Sequence, residues 1–256
     1  MESLLQFLVL AVLGLLGGVL SGVAGVGGGT VFVPTLVYAA GWDIKEAVAA
    51  SLVIVIFSSL SGTVRNARSE DPVEWRPALL LAVSVAPASL IGILVSTISP
   101  TAVVQFAFSV ILLVLAYPTG RSRGSGPPAT GSKGFSRPLV WLYGAGIGAL
   151  AGLVGIGGGV VLVPLLMLGF GLSTKRAIST SLAVVFFTGI VASAGYIATG
   201  FSNLVSLAPL VLGAVIGAWL GVRLRDGLPE KAIRLGFAGF MVVTALRTLA
   251  DALGIL

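Results

Sequence analysis

The sequence contains no cysteine and no histidine, and only 9% of its 256 residues are charged. The two missing residue types exclude disulfide frameworks, cysteine nucleophiles, histidine-based triads, haem ligation and the common zinc sites. A soluble domain carries about 25% charged residues, so this chain cannot cover a globule with a hydrated surface. By contrast, 57% of its residues are hydrophobic. We therefore expect an all-α polytopic membrane protein with no catalytic residues, no metal site and no cofactor.

The net charge is +6, which in a soluble protein would suggest a nucleic-acid partner. Beside long apolar segments, basic residues more often set the orientation of membrane spans. We therefore expect a lipid bilayer and no nucleic acid as partner, and homo-oligomerisation stays open. The first residues lack the basic region and the cleavage site of a signal peptide, so we expect the first apolar segment to be retained.

The uncharged gaps between clusters of charge delimit the spans. A span needs about 20 apolar residues, so the longer gaps must each hold two segments, divided at Ser-Pro, Gly and Asn. This rule predicts helices over 77–98, 102–117, 177–199, 204–222 and 232–253. Residues 119–138 have the composition of a basic flexible linker between a first membrane repeat, 1–118, and a second, 139–256.

The two halves repeat each other at an offset of 130 residues. The stretch GVAGVGGGTVFVP at 22–34 matches GLVGIGGGVVLVP at 152–164. The match continues to the Ser-Leu pairs at 51–52 and 181–182, and at an offset of 129 it pairs Pro100 with Pro229. Internal repeats of this kind are typical of secondary transporters.

Each glycine cluster interrupts a helix, because a glycine in a helix interior costs about 1 kcal/mol relative to alanine. The apolar segments that follow, 30–40 and 160–170, are each about 16 Å long as helices, which is half of a hydrocarbon core. We interpret each as a half-helix with the glycines at its buried N-terminal end. Pro34 and Pro164 are expected near the first helical turn, where a missing N–H costs least.

The distribution of basic residues separates two topologies. In the first topology, the segment before each glycine cluster enters the membrane and the half-helix after it returns to the same side. Each half then adds three full spans, the second half is inverted, and both termini lie outside. Thirteen of the fifteen basic residues then share the cytoplasmic side, leaving only Lys45 and Arg247 opposite. In the second topology, each glycine-broken stretch crosses the membrane once and the protein has eight spans. The fifteen basic residues are then divided eight to seven between the two sides. The positive-inside rule favours the inverted repeat, and the eight-span arrangement is the alternative.

An inverted repeat brings the two glycine tips together near the midplane, where irregular backbone is tolerated only inside protein or along a cavity. Their free N–H groups and helix dipoles would attract an anion, with nearby hydroxyls assisting because the predicted spans before the last helix contain no charged residue. The alternatives are close helix packing for the glycines and bonds to the helix's own carbonyls for the hydroxyls. The candidate substrate-binding residues are Gly25, Gly27, Gly28, Gly29, Thr30, Ser51, Ser58, Gly155, Gly157, Gly158, Gly159, Ser181 and Thr188.

The paired Gly-x-Gly-Gly-Gly-x-x-x-x-Pro stretches, Gly25 to Pro34 and Gly155 to Pro164, resemble those of the sulfite exporter TauE/SafE family. The resemblance covers nearly the whole chain, including the Ser-Leu helices and the basic mid-chain segment. It implies a multi-pass protein of the bacterial cell membrane that transports small sulfur-containing anions such as sulfite, sulfonates or thiosulfate. A carrier that relays thiosulfate through cysteines is excluded, because the chain has none.

Three functional classes fit these features: a carrier for a small anion, a passive anion channel, and a membrane enzyme or assembly subunit. The enzyme is disfavoured because the spans hold neither an Asp pair nor Ser with His. The carrier could also be an eight-span one for another small organic anion. No carboxylate or histidine for proton coupling lies in the predicted spans before the last helix, and no nucleotide-binding motif is present. Export driven by the membrane potential is therefore the default expectation.

Overall fold

The computed structural model describes residues 2–121, 137–155, 157–200, 207–225, 227 and 229–254. These residues form ten α-helices and no strand. The helices are α1 Glu2–Ala24, α2 Gly29–Ala40, α3 Ile44–Asn66, α4 Trp75–Ile98, α5 Thr101–Arg121, α6 Arg137–Val154, α7 Gly159–Phe170, α8 Thr174–Ala198, α9 Ala208–Arg225 and α10 Glu230–Ala252. Helices α1, α3, α4, α8 and α9 are long and apolar enough to cross a membrane. The chain is thus an all-helical polytopic membrane protein.

The helix ends follow local sequence signals. Asp43 caps α3 by accepting a hydrogen bond from the Lys45 backbone N–H at 2.8 Å, and Ser173 caps α8 through the N–H of Arg176. Gly41 and Gly171 end the two short helices in the left-handed conformation. The predicted spans agree with the helices to within a few residues at most ends. Helices α5 and α6 extend into the range 119–138, and residues 122–136 lie outside the described residues.

Glycines allow α1 and α9 to pack backbone against backbone. A Cβ on Gly14 would collide with Leu210, and one on Gly22 would collide with Ala218. The contact advances by eight residues in both helices, so α1 and α9 run parallel. Small residues at this spacing permit close helix approach, and packing therefore explains the glycines of α1.

Helices α4 and α6 form the equivalent parallel pair. A Cβ on Gly144 would collide with Ser84, and one on Gly152 would collide with the Ser89 carbonyl. Ser89 lies near the middle of α4. A Cβ on Gly92 would collide with the backbone N of Leu153, so α6 ends about three quarters of the way along its neighbour, before the second glycine cluster.

Helices α3 and α8 pack against each other at the centre of the molecule in opposite directions. A Cβ on Gly62, near the end of α3, would lie 2.9 Å from Leu182 Cδ1 early in α8. A Cβ on Gly189, farther along α8, would lie 3.1 Å from Ile56 Cγ1, earlier in α3. Both helices are largely buried along their contact.

Helix α2 returns the chain toward the end from which α1 starts. Helix α9 runs parallel to α3, because Ser61 donates to the Val215 carbonyl at 2.8 Å and Arg225 donates to Asn66 at 3.1 Å farther on. Helices α1, α9 and α3 therefore share one direction. Since α3 starts where α2 ends, α2 must run in the opposite direction.

Helix α7 does the same in the second half. Helix α8 runs parallel to α4, because the Glu74 N–H donates to Thr180 Oγ1 at 3.1 Å near both N-termini, and Gly195 faces Leu90 farther along. Helices α6, α4 and α8 therefore share one direction, and α7 reverses it. Under the repeat, helices α1 to α5 correspond in order to α6 to α10. The pair α1 and α9 therefore corresponds to the pair α6 and α4, and the pairs α3 with α8 and α5 with α10 each join a helix to its own equivalent.

The expected position of Pro34 in the first turn is wrong. Helix α2 begins at Gly29, so Pro34 is its sixth residue and lies in the second turn. There it removes the N–H that would otherwise bond to the Thr30 carbonyl, and it is buried.

Candidate functional site

The chain reverses direction at each glycine cluster through glycines with positive φ. In the first tip, residues 25–30, Gly25, Gly27 and Gly28 have φ of 72°, 72° and 87°. In the second tip, residues 155–160, the equivalent glycines at 155, 157 and 158 have φ of 73°, 71° and 77°. A side chain is strained in this region, so the sharp reversal requires glycine at these three positions of each tip.

The two tips lie against each other between α3 and α8. A Cβ on Gly159 would lie 2.5 Å from the Cα of Val26, so the two backbones are in direct contact. Gly27 and Gly157 both face Val55 of α3 and Val185 of α8. The structure thus brings all eight predicted glycines into one buried centre.

Several backbone donors of the tips have no acceptor in the described part of the chain. Among them are the N–H groups of Gly27, Gly28, Thr30, Gly157, Gly158 and Val160. The carbonyls of Gly28 and Gly158 accept the first helical bonds of α2 and α7. All six residues are buried, and an unpaired buried donor costs about 1–3 kcal/mol.

Three of the four predicted hydroxyls on α3 and α8 hold the tips in place. Ser51 donates to the Gly155 carbonyl at 3.0 Å, and Ser181 donates to the Gly25 carbonyl, so each ties one half to the tip of the other. Ser58 donates to Gly27 at 2.9 Å within its own half. Each hydroxyl also reaches a carbonyl of its own helix. These protons are engaged by the backbone, and the oxygens keep acceptor capacity.

Thr188 and Thr30 differ from these serines. Thr188 donates to Val184 in its own helix at 2.9 Å, and no bond from it to a tip is found among the described residues. Thr30 is fully buried in the first turn of α2, and its Oγ1 has no hydrogen-bond partner within the described ranges. Thr30 is therefore the predicted hydroxyl that is free to bind a ligand at the tips.

The contribution of the cross-half bonds of Ser51 and Ser181 to the stability of the protein can be tested by substitution. Because a buried hydrogen bond contributes about 1 kcal/mol, S51A and S181A should each lower the free energy of unfolding by about that amount, and the double variant by about twice as much. Thermal unfolding in detergent measures the effect. The matched control is S59A, whose hydroxyl bonds, among the described residues, to carbonyls of α3 alone. Equal losses for S51A and S59A would show that the cross-half bond adds nothing.

Sequence reasoning missed a buried charged residue. The predicted span ended at 222, but α9 continues to Arg225, which is only 3% exposed and bonds to the fully buried Asn66. The predicted span itself contains no charge, but its end was placed three residues too early. The signal available in the sequence was the 129-residue offset, which aligns Arg225 with Ser96 inside a predicted span.

Helices that cross a bilayer, together with two half-helices that meet at buried irregular backbone, define the class of polytopic membrane transporters. The sequence profile of the family described as "Sulfite exporter TauE/SafE" matches residues 10–248, so this chain belongs to that family.

Similar proteins carry the same general description. The probable membrane transporter protein YunE of Bacillus subtilis is 28% identical, with 90% of this chain and 92% of the relative covered. A probable membrane transporter protein of Haemophilus influenzae is 29% identical over 94% of this chain and 97% of its own length. One from Methanocaldococcus jannaschii is 24% identical over 96% of both. No solved structure matches the chain.

Proposed function

We propose that this protein exports small sulfur-containing oxyanions, such as sulfite, sulfonates or thiosulfate, by alternating access around the two glycine tips. The observation that carries the proposal is a set of six buried backbone N–H groups at the contact of the tips for which no acceptor is found among the described residues. Two helix N-termini add the positive ends of their dipoles. An anion with several oxygens can accept from donors of both tips at once, which would offset the cost of burying them unpaired.

The proposed repeat is inverted in the membrane. Helices α3 and α8 are equivalent in sequence and run in opposite directions, so the two-fold axis that relates them lies across the helices and hence in the membrane plane. The half-helices then approach from opposite faces. This relation supports alternating access, because the same site can open to either side by exchanging equivalent contacts of the halves.

The basic end of the molecule is the proposed cytoplasmic face of a bacterial inner membrane. We define it by the C-termini of α3 and α9 and the N-termini of α4 and α8. Arg176 there bonds to Glu74 at 3.2 Å, next to Asp71. At the opposite end, Lys45 donates to the Thr97 carbonyl, and Arg247 lies over the ring of Tyr38. This division follows the positive-inside rule.

The proposed driving force is the membrane potential. An inside-negative potential favours the exit of an anion by about 2.3 kcal/mol per charge per 100 mV. We expect the initial rate of radiolabelled sulfite efflux from proteoliposomes to rise severalfold when a potassium diffusion potential, negative inside, is imposed. A rate that ignores the potential but follows a proton gradient would contradict this coupling, and absence of flux for all three anions would contradict the proposed function.

A further inference from the structure

The last turns of α3 and α9 form a positively charged surface at the basic end of the molecule. We define this α3–α9 corner as Arg65, Arg68, Trp219 and Arg223. The guanidinium of Arg65 lies over the ring of Trp219, with 5.5 Å between Cζ and the ring centroid. Arg223 follows Trp219 by about one turn, and the N–H of Arg68 donates to the Arg65 carbonyl at 3.2 Å just after α3. Arg65 is partly exposed and the other three residues are exposed, so the corner is open to its surroundings.

No counter-charge for the corner is found among the residues that the structure describes. The ion pairs at this end join Arg176 to Asp71 and Glu74, and none of the described carboxylates pairs with an arginine of the corner. The Nε of Arg65 is buried and has no hydrogen-bond partner in the same ranges. An anionic partner from outside the chain can therefore bind here without displacing an ion pair.

An apolar surface continues from the corner toward the middle of the membrane. Leu60 and Val64 precede Arg68 by about two turns and one turn, and Ile216 precedes Trp219 by about one turn on α9. All three apolar side chains are exposed. In a bilayer such side chains contact acyl chains, whereas tryptophan and the charged ends of arginine side chains lie at the depth of the headgroups. The corner and the apolar surface together therefore match the charged head and the apolar tail of a lipid.

The equivalent corner at the opposite end of the molecule has neither charge nor aromatic ring. Under the offsets of the repeat, Arg65 corresponds to Gly195 and Trp219 to Leu90, while Arg68 and Arg223 correspond to Ala198 and Leu94. The contact itself is kept, because a Cβ on Gly195 would lie 2.8 Å from Leu90 Cδ2. The charged and aromatic side chains are thus present at one membrane face only.

We propose that the α3–α9 corner binds the headgroup of an anionic phospholipid from the leaflet at the basic end. The planar guanidinium of Arg65 donates to the phosphate, and its contact with the ring of Trp219 holds it in place. Arg68 and Arg223 add electrostatic attraction, and the acyl chains lie along the apolar surface. Anionic lipids of the cytoplasmic leaflet attract basic residues in this way, which agrees with the proposed orientation. The site does not depend on which anion the protein transports.

The fluorescence of Trp219 allows a test at the corner itself. The chain has four tryptophans, and the variant W42F/W75F/W141F keeps Trp219 alone. In bilayers that contain brominated lipids, quenching of its fluorescence reports which lipid lies beside it. We expect phosphatidylglycerol to bind there at least about fivefold more strongly than phosphatidylcholine, because each arginine near the headgroups attracts anionic lipid.

A matched reporter keeps Trp75 alone. This residue is also exposed and lies at the same end of the molecule, at the start of α4. Its neighbours in the chain are Glu74 and Arg76, so the local charge is balanced. The preference for phosphatidylglycerol over phosphatidylcholine at Trp75 should therefore stay within about twofold.

Substitutions then identify the arginine that holds the headgroup. In the variant with Trp219 alone, R65Q should reduce the preference to about twofold or less, whereas R65K should keep most of it because lysine retains the charge. The matched control is R76Q, which removes an exposed arginine of α4 and should leave the preference unchanged. Quenching by brominated phosphatidylcholine should match the parent in each variant, which shows that Trp219 still faces lipid. If R65Q fails this check of folding, R223Q takes its place with the same expected direction.

Three results would overturn the lipid site. They are equal binding of the two lipids beside Trp219, a preference that R65Q and R223Q leave unchanged, and a preference that disappears when millimolar inorganic phosphate is added at constant ionic strength. The last result would assign the corner to a free anion. Sulfite flux is measured separately, so absence of transport would contradict the proposed function and leave the lipid site standing.

Discussion

Alanine at Gly158 is expected to reduce transport at least tenfold, whereas alanine at Gly41 should leave it within about twofold of the parent. Both glycines have positive φ, 77° and 71°, so both substitutions carry a similar backbone strain of about 1–2 kcal/mol. They differ in location: Gly158 is in the second tip, while a Cβ on Gly41 would meet nothing within 4 Å. The comparison therefore separates strain from damage to the site.

The reason for the large effect lies in the orientation of the N–H groups. A residue that resists positive φ turns the peptide planes of the tip, and the donors of Gly157 and Gly158 then point away from the anion. Losing one such interaction costs about 1–3 kcal/mol, or about 5- to 150-fold in affinity. Sulfite flux in proteoliposomes and the thermal midpoint in detergent are the two measurements, and both variants should lower the midpoint.

Crowding at Gly158 needs its own control. A Cβ there would lie 2.9 Å from Ile147 Cγ2, and the double variant G158A/I147A removes this contact. Transport that returns in the double variant would show that the glycine is needed for packing, and the anion site at the tips would then be wrong. Gly28 is less informative, because its Cβ would collide with the ring of Phe32 in its own helix.

The sequence predicted the helices and the broken segments well because their causes are local. Runs of apolar residues between charges set the spans, and a glycine cluster that no helix tolerates sets each break. The repeat then allowed the second half to be interpreted from the first. The expected short helices, 30–40 and 160–170, differ from α2 and α7 by a single residue at the N-terminus.

The features that the sequence did not predict depend on tertiary contacts. Nothing in the local pattern shows that Ser51 reaches the carbonyl of Gly155, 104 residues away, while Thr188 bonds within its own helix. Arg225 looks like an ordinary basic residue after a span, and only its contact with Asn66 reveals that it is buried. Pro34 was expected near the first turn, although the predicted start at residue 30 already made it the fifth residue of the helix; the observed start at Gly29 makes it the sixth.

The second large effect is expected in a test of the topology, because the labelling of a single introduced cysteine reports the side of the membrane on which it lies. The chain has no native cysteine, so single cysteines can be introduced at Arg68, Lys175, Arg223 and Glu46 without background. In the proposed inverted arrangement the first three share the cytoplasmic side, and Glu46 lies outside. An impermeant thiol reagent added to intact cells should therefore label E46C alone, at least tenfold more than the other three.

The four positions also distinguish the alternative. Eight spans with parallel halves would put K175C and R223C on the side of E46C and opposite to R68C, because each glycine-broken stretch would then cross the membrane once. In that arrangement α1 and α3 would run in opposite directions, against the parallel packing of both on α9. Permeabilised cells must label all four cysteines to show that each is reactive. Shared labelling of E46C, K175C and R223C in intact cells would remove the facing tips, and with them the site on which the proposed transport depends.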